Sequence, residues 1–306
     1  MEFNLEDFKA DEQPQENSGI SLKYGLFTDM HQDEYRALPA LSNSDATMIQ
    51  VNPSDYVWSR NAPTNFAKVQ TKDMGTALHA LLLEPETYDD LILVSSVKGR
   101  NTKAFENEVA TNPDNIVLTA EEAEQIKIMA GSVMAHPRAS KLLSLQGNNE
   151  CSVIVNDPLT GVNLKCRPDK DAVELIGACI DVKKTADLSK WRTDKEWLNP
   201  MFEFDYGHQA AFYLHTLSLH YGFEVNKFIF VAIQSSIALG RYPVGVFEVS
   251  KEQLIAWGFW GRMLANIDRY KQCLDNNDWE HSETFNFYVE DEGFGDIEVT
   301  YEGEEQ

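Results

Sequence analysis

The spacing of apolar residues alternates between helical and extended patterns, which predicts an α/β protein. Apolar positions recurring every three or four residues predict helices over 42–53, 75–83, 119–136, 187–198, 203–221 and 250–274. Short alternating or β-branched runs predict strands over 91–94, 150–157, 162–171, 175–182, 225–234 and 244–249. Ser42, Thr119 and Ser250 each stand where a helix-capping side chain is needed, which supports three of these helix starts.

Three of the predicted strands follow one another closely, at 150–157, 162–171 and 175–182. The Pro- and Gly-containing segment 157–161 has the composition of a tight turn. These strands therefore predict an antiparallel meander.

The predicted meander contains charged residues at positions typical of a metal-dependent hydrolase. Asp169 follows Arg167 and Pro168, and twelve residues after it Asp181 opens the triplet Asp181-Val182-Lys183. Side chains alternate along a strand, so Asp181 and Lys183 share one face. Carboxylates bind hard divalent cations, and a lysine can orient or deprotonate an attacking water. The pattern favours a magnesium-dependent phosphodiesterase, although a lone Asp-x-Lys triplet is common by chance.

The net charge of −23 is concentrated at the two ends of the chain. Residues 1–17 carry −5 and residues 280–306 carry −10, which leaves −8 between them. We predict a disordered acidic tail at 1–18, a globular domain at 19–280 and an acidic tail at 281–306. No apolar run reaches the roughly 20 residues that span a bilayer, and the acidic start is unlike a signal peptide, so we expect a cytoplasmic protein without membrane contact.

Basic residues are frequent around the Asp-x-Lys triplet, and one hypothesis is that they follow a phosphate backbone. They are Lys165, Arg167, Lys170, Lys184, Lys190, Arg192 and Lys195. Acidic residues are interspersed among them, so a mixed-charge surface is the alternative. The overall negative charge argues against tight, indiscriminate coating of nucleic acid.

Cysteine and histidine suggest two other metal sites that the spacing does not favour. Cys151, Cys166, Cys179 and Cys273 are the four cysteines, and they lack the clustered spacing of an iron–sulfur site, so buried free thiols are predicted. His208 and His215 lie seven positions apart on one predicted helix, which leaves a zinc hydrolase open as an alternative.

Several stretches together resemble the nuclease domain of the RecE family, exodeoxyribonuclease VIII, in the RecB-like branch of the PD-(D/E)xK superfamily. They are Leu41-Ser42-Asn43-Ser44, Arg60-Asn61-Ala62-Pro63, Gly75-Thr76-Ala77-Leu78-His79, Leu83-Glu84-Pro85-Glu86, Cys166-Arg167-Pro168-Asp169-Lys170, Asp181-Val182-Lys183-Lys184-Thr185-Ala186-Asp187, His208-Gln209-Ala210-Ala211-Phe212-Tyr213 and Gly240-Arg241-Tyr242-Pro243-Val244. The resemblance spans about residues 20–280 in the expected order and includes the Gln-x-x-x-Tyr element of RecB-like nucleases.

This resemblance implies a PD-(D/E)xK core, with a central mixed β-sheet flanked by helices. It implies metal ligation by His79, Asp169, Asp181 and the Val182 carbonyl, with Lys183 positioning or activating the water. Gln209 and Tyr213 would brace the site or contact DNA. Glu150 could also reach the metals, although an exposed strand-end glutamate is the simpler interpretation.

The implied activity is 5′→3′ degradation of one strand of linear double-stranded DNA, leaving a 3′ single-stranded overhang for recombination by annealing. The implied partners are duplex DNA ends, three further copies of the chain in a ring-shaped tetramer, and a RecT-like single-strand annealing protein of a phage or prophage system. Two Mg²⁺ ions roughly 3.5–4 Å apart would hold the scissile phosphate, and the histidine ligand would also suit Mn²⁺. The alternatives are a non-catalytic protein that grips DNA ends and a nuclease of different polarity or substrate.

Overall fold

A mixed β-sheet of five strands forms the centre of the fold in the computed structural model of the chain, which describes residues 22–60, 66–192 and 199–280. Both predicted tails, 1–18 and 281–306, lie outside these ranges. The first half of the described chain contains β1 (Gly25–Phe27), α1 (Gln32–Ala37), α2 (Asn43–Val51), α3 (Pro53–Arg60), α4 (Phe66–Leu83), α5 (Tyr88–Leu91), β2 (Ile92–Val94), α6 (Lys103–Thr111), β3 (Ile116–Leu118), α7 (Ala120–Ala135) and α8 (Pro137–Leu143).

The second half contributes the central sheet and the helices of one of its faces. Its elements are β4 (Asn148–Asn149), β5 (Ser152–Asn156), β6 (Asn163–Cys166), β7 (Lys170–Ala172), α9 (Val173–Ile176), β8 (Ala178–Thr185), a 3-10 helix (Leu188–Arg192), α10 (Pro200–Glu203), α11 (Tyr206–Tyr221), β9 (Lys227–Gln234), β10 (Val244–Ser250), α12 (Lys251–Ala256) and α13 (Phe259–Asn276). The strand order of the central sheet is β10-β9-β8-β7-β4. Strands β8 and β9 are parallel, and the other neighbours are antiparallel.

Helices cover both faces of this sheet, because side chains alternate along its buried strands. On β9, Phe228 and Phe230 join a core that also contains residues of α2, α11 and α13. Ile229 and Val231 point the other way, into a core formed with α4, α7 and α8. The predicted α/β class, with a central mixed sheet flanked by helices, is confirmed.

The predicted three-stranded meander was wrong in one respect, because its second strand changes sheets. Strand β5 pairs with β6 on one side and with β1 on the other, whereas β4 and β7 pair within the central sheet. The hairpin bends at Glu150 on one strand and at 167–169 on the other. Glu150 has a left-handed φ of 46°, and Pro168 has no N–H for a ladder. The candidate site lies at this bend.

Residues in the left-handed region change the bounds of two predicted helices. Asp205, with φ of 56°, moves the start of the predicted helix 203–221 to Tyr206, and Gly258, with φ of 81°, divides the predicted helix 250–274 into α12 and α13. Helix α4 begins at Phe66, well before the predicted start at 75. Of the predicted helix 187–198, residues 188–192 form a 3-10 helix and residues 193–198 lie outside the described ranges.

Several groups outside the sheet have structural roles. All four cysteines are buried and free, as predicted. Lys165, which is 2% exposed, donates to the carbonyls of Tyr35, Arg36 and Leu38 at 2.9–3.1 Å, so its charge supports the C-terminal end of α1 and is unavailable to a phosphate. No helix among the described residues is long and apolar enough to span a membrane.

His208 joins three helices through its imidazole and is fully buried. Its Nδ1 lies 2.7 Å from Asn43 Oδ1, and its Nε2 lies 2.9 Å from the amide nitrogen of Asn266. A neutral ring with the proton on Nδ1 satisfies both partners. Burial lowers the pKa of His208 to about 4, and the nearby charge of Arg262 acts in the same direction.

We expect His208 to make stability depend on pH. Its pKa is lower in the folded protein than the ordinary value of 6.5, so the unfolded chain binds the extra proton first. The stabilisation is complete above pH 6.5 and falls as pH drops toward 4, by on the order of 3 kcal/mol. His208→Gln retains a donor and an acceptor but does not titrate. Urea unfolding at pH 7 and pH 4 should show the wild-type advantage over this variant shrinking, and an unchanged difference would contradict the assignment.

Candidate active site

His79 reaches the bend of the hairpin from α4, one turn before the end of that helix. Its Nδ1 lies 3.4 Å from Glu150 Oε1 and 3.4 Å from Asp169 Oδ1. The imidazole therefore contacts both strands at the point where they change sheets.

Glu150 and Asp169 are held opposite each other by the backbone. The N–H of Glu150 donates to the carbonyl of Asp169 at 3.0 Å, which extends the ladder between β4 and β7 by one bond. One potential ligand atom from each of His79, Glu150 and Asp169 lies within 4.8 Å of the other two, and this is the one such group of three within the described ranges. An imidazole and two carboxylates are a suitable donor set for a divalent cation.

Asp181 lies next to this group, on β8. Its carboxylate is outside the set of atoms within 4.8 Å of one another, but the neighbouring N–H of Val182 donates to Asp169 Oδ2 at 2.6 Å. Lys183 Nζ lies 2.7 Å from Asp181 Oδ2. Asp169, Asp181 and Lys183 thus lie together at the point where β7 begins and β8 continues beyond it.

Helix α11 braces the site with the two polar residues of the Gln-x-x-x-Tyr element. The amide of Gln209 donates to Asp181 Oδ1 at 2.8 Å. One turn later, the Tyr213 hydroxyl donates to the carbonyl of Arg167 at 3.3 Å. Both side chains therefore support the residues that form the site.

Val182 presents its carbonyl to the same side of β8 as its N–H, because both groups of a strand residue point in one direction. That side faces Asp169. Strand β7 begins at Lys170, opposite Ile180, so the ladder with β8 stops before Val182. The Val182 carbonyl is therefore on the side of β8 that faces the site, and its role as a ligand stays a prediction.

Arg167 binds the Glu150 oxygen that is not the one closest to His79. Its Nε lies 3.3 Å from Glu150 Oε2, and its guanidinium also donates to Ser152 Oγ at 2.8 Å and to the carbonyl of Met30 at 2.9 Å. These bonds orient the glutamate toward His79.

The positive charge of His79 is offset by the neighbouring carboxylates. Burial opposes a positive charge on His79, but Asp169 and Glu150 outweigh it and raise the pKa of His79 well above its ordinary value. Burial also acts against a charged Asp169, yet His79, Lys183 and the Val182 N–H hold the pKa of Asp169 below its ordinary value. A cation bound here would take the place of the imidazole proton.

Asp181 and Lys183 form a second balanced pair. Burial raises the pKa of Asp181 to about 6, although Lys183 opposes the shift. Burial would lower the pKa of Lys183, but Asp181 and Asp169 outweigh it and raise that pKa. Lys183 is therefore an ammonium ion in the metal-free protein.

The chemistry of the donor set supports the fit of a cation. His79 offers an imidazole nitrogen, and Glu150 and Asp169 offer carboxylate oxygens, all within 4.8 Å of one another. The buried Asp181 carboxylate, paired with Lys183 at 2.7 Å, lies beside them. The residues present therefore fit a divalent metal ion with oxygen and nitrogen ligands.

The structure differs from the sequence prediction at Glu150 and at several of the basic residues. The simpler interpretation of Glu150 was wrong, since its side chain is 22% exposed and contacts His79. Lys170 is 2% exposed and donates to Asn149, and Lys190 pairs with Glu203. Lys195 lies outside the described ranges.

The zinc alternative finds no support in the described residues. His208 is occupied by two asparagines. His215 packs edge-on against the Trp260 ring. Neither belongs to a group of three potential ligands in the described ranges.

The sequence pattern of a family described as PDDEXK-like domain of unknown function (DUF3799) matches residues 57–287, which is more than half of the chain. The chain belongs to this PDDEXK-like family. The matched segment contains His79, Glu150, Asp169, Asp181 and Lys183, so the whole candidate site lies inside the PDDEXK-like domain. This supports the PD-(D/E)xK superfamily rather than the RecE family in particular.

A solved structure has the same fold as this PDDEXK-like protein. It is the crystal structure of a candidate exonuclease from Eubacterium rectale, with a TM-score of 0.56 and 13% sequence identity. The similarity covers 84% of this chain and 90% of that chain. No curated protein matches the sequence significantly.

Proposed function

We propose that the protein is a Mg²⁺-dependent exodeoxyribonuclease that degrades linear double-stranded DNA. The observation that carries this proposal is the convergence of His79, Glu150 and Asp169 beside the Asp181–Lys183 pair. A group of carboxylates, an imidazole and an amine suits phosphodiester hydrolysis, because the reaction needs charge stabilisation and an activated water. Membership of the PDDEXK-like family supports the same reaction class.

Four side chains and one carbonyl would hold the metal. They are His79, Glu150, Asp169, Asp181 and the backbone oxygen of Val182. When bound, a divalent cation lowers the pKa of a coordinated water and stabilises negative charge on the phosphate. Carboxylates favour Mg²⁺, and the imidazole also allows Mn²⁺.

Lys183 contributes an amine at the edge of the group, with its side chain 20% exposed. As an ammonium ion it donates to a water or to a phosphate oxygen. It would act as a base only when additional positive charge offsets Asp169 and Asp181. Gln209 keeps the Asp181 carboxylate oriented, and Tyr213 holds the backbone that leads into Asp169; both are positioning residues.

The finer features come from the resemblance to the RecE family. We propose 5′→3′ degradation that leaves 3′ single-stranded overhangs, a homotetrameric ring around the duplex, and a RecT-like annealing protein as partner in recombination. The gene would belong to a phage or prophage, and the enzyme would work in the bacterial cytoplasm.

The test is digestion of DNA labelled at the 5′ end of one strand and the 3′ end of the other, with Mg²⁺ and with EDTA. We expect linear duplex to lose its 5′ label first and EDTA to abolish this loss. A covalently closed circle of the same sequence should survive in Mg²⁺. Cleavage of the circle would indicate an endonuclease. Binding of linear ends without cleavage in Mg²⁺ or Mn²⁺ would favour the non-catalytic alternative.

A further inference from the structure

An exposed phenylalanine lies close to the candidate active site. Phe204 is 55% exposed at the end of α10. Its ring centroid is 5.7 Å from that of Tyr206. The Tyr206 ring lies in turn 5.1 Å from Lys183 Nζ. The Tyr206 ring therefore lies between the solvent-exposed Phe204 ring and the Lys183 amine of the candidate site.

The rings beneath Phe204 are fixed by packing. Tyr206 stacks on Trp191 at 5.8 Å and contacts Phe230 at 5.9 Å. A rigid aromatic base of this kind loses little conformational entropy when a ligand binds on top of it. The exposed ring of Phe204 extends this base toward solvent.

The backbone at this position is also held in place. Asp205, between the two aromatic residues, has a φ of 56° and forms an ion pair with Arg262. Gly207 packs against the Phe259 ring, where a Cβ would meet the ring carbons. Asp205 is a left-handed non-glycine residue, and backbone strain of this kind concentrates at functional sites. Together they fix where Phe204 projects.

We propose that Phe204 is a stacking surface for the unpaired base of the nucleotide whose phosphate lies at the active site. The Tyr206 ring lies 5.1 Å from Lys183 Nζ and 5.7 Å from the Phe204 ring, so a single aromatic ring separates Phe204 from the amine that would face the phosphate. The phenylalanine side chain has no hydrogen-bonding group, so its ring can stack on any base and does not discriminate between DNA sequences. This inference rests on the proposed nuclease function and adds a base-binding position to it.

The chain provides a matched control at the other end of α11. Phe223 follows α11, is 51% exposed and lies 5.5 Å from Tyr221, whereas Phe204 precedes the helix and lies 5.7 Å from Tyr206. Tyr221 donates to Asp171 rather than contacting the site. The two phenylalanines therefore have similar exposure and each lies beside a tyrosine, but of these two tyrosines it is Tyr206 that contacts Lys183.

The experiment compares the full-length wild type with Phe204→Ala, Phe204→Trp and Phe223→Ala on linear duplex DNA. We expect Phe204→Ala to raise KM about tenfold, in keeping with the loss of one stacked base, with a smaller effect on kcat. Phe204→Trp should retain wild-type KM, and Phe223→Ala should not differ from wild type. On a substrate with an abasic terminal nucleotide, wild type should lose about the same tenfold and Phe204→Ala should lose nothing more.

A second measurement reports stacking without turnover. In Ca²⁺ and on a strand that ends in 2-aminopurine, wild type and Phe204→Trp should quench the fluorescence on binding, and Phe204→Ala should not. Equal KM values and equal quenching for Phe204→Ala and Phe223→Ala would overturn the stacking position. If wild type still cleaves DNA in that case, and Asp181→Asn does not, the nuclease assignment stands alone. Absence of both cleavage and quenching in wild type would remove both proposals.

Discussion

Replacing Asp181 with asparagine is expected to lower the rate of metal-dependent DNA cleavage by about a thousandfold or more, while the protein remains folded. Asparagine retains an oxygen for the Gln209 amide, which lies 2.8 Å away, but it removes the negative charge that would hold the cation. A bound metal supplies several kcal/mol of charge stabilisation, and about 4 kcal/mol corresponds to a thousandfold in rate. Cleavage of end-labelled linear duplex at saturating Mg²⁺ measures the effect.

Asp157→Asn is the matched control for this substitution. Asp157 is 1% exposed and Asp181 is 2% exposed, so both substitutions remove a buried carboxylate. Asp157 receives its hydrogen bonds from Leu159 and Thr160 in the turn between β5 and β6, at the opposite end of the hairpin from the bend. We expect Asp157→Asn to retain full activity. Wild-type rates in Asp181→Asn would refute the site.

Lys183→Met should separate metal binding from turnover. Methionine preserves much of the aliphatic length but has no charge, so it cannot donate to a water or to a phosphate oxygen. Proton transfer and positioning by such a group contribute about 10²–10⁴-fold to a rate, and we expect kcat to fall within this range. Removing a positive charge beside the ligands should leave Mn²⁺ affinity equal or higher, as titration calorimetry would measure.

Lys184→Met provides the comparison. Lys184 follows Lys183 on β8 and points to the opposite face of the sheet. Its substitution should change neither turnover nor metal affinity. If Lys183→Met lost both properties together, Lys183 would be a structural residue and not part of the reaction.

Local patterns predicted the parts of the fold that depend on neighbouring residues. The capping boxes at Ser42, Thr119 and Ser250 are all present, because a cap needs only a side chain and an N–H three positions later. Strand β9 occupies residues 227–234 of the predicted 225–234, because its apolar run is buried on both faces. Asp181 and Lys183 share a face for an equally local reason.

Long-range contacts explain what the sequence did not predict. Nothing near Glu150 indicates that its N–H bonds the carbonyl of Asp169, nineteen positions away, or that His79 of α4 lies 3.4 Å from its carboxylate. The bend of the hairpin likewise depends on two residues, Glu150 and Pro168, that lie on different strands. The one relevant signal in the sequence is Pro168, which interrupts the strand that pairs with the segment around Glu150.

The central claim is that His79, Glu150, Asp169 and Asp181 together hold divalent metal. The most direct measurement is anomalous diffraction from crystals of the wild type and of Asp181→Asn soaked in Mn²⁺. We predict an anomalous peak in wild type, within bonding distance of His79 and Asp169 and on the side of β8 faced by the Val182 carbonyl, that weakens or disappears in the variant. A wild-type protein that cleaves DNA with Mn²⁺ yet shows its metal bound elsewhere, or equally in both crystals, would contradict the account.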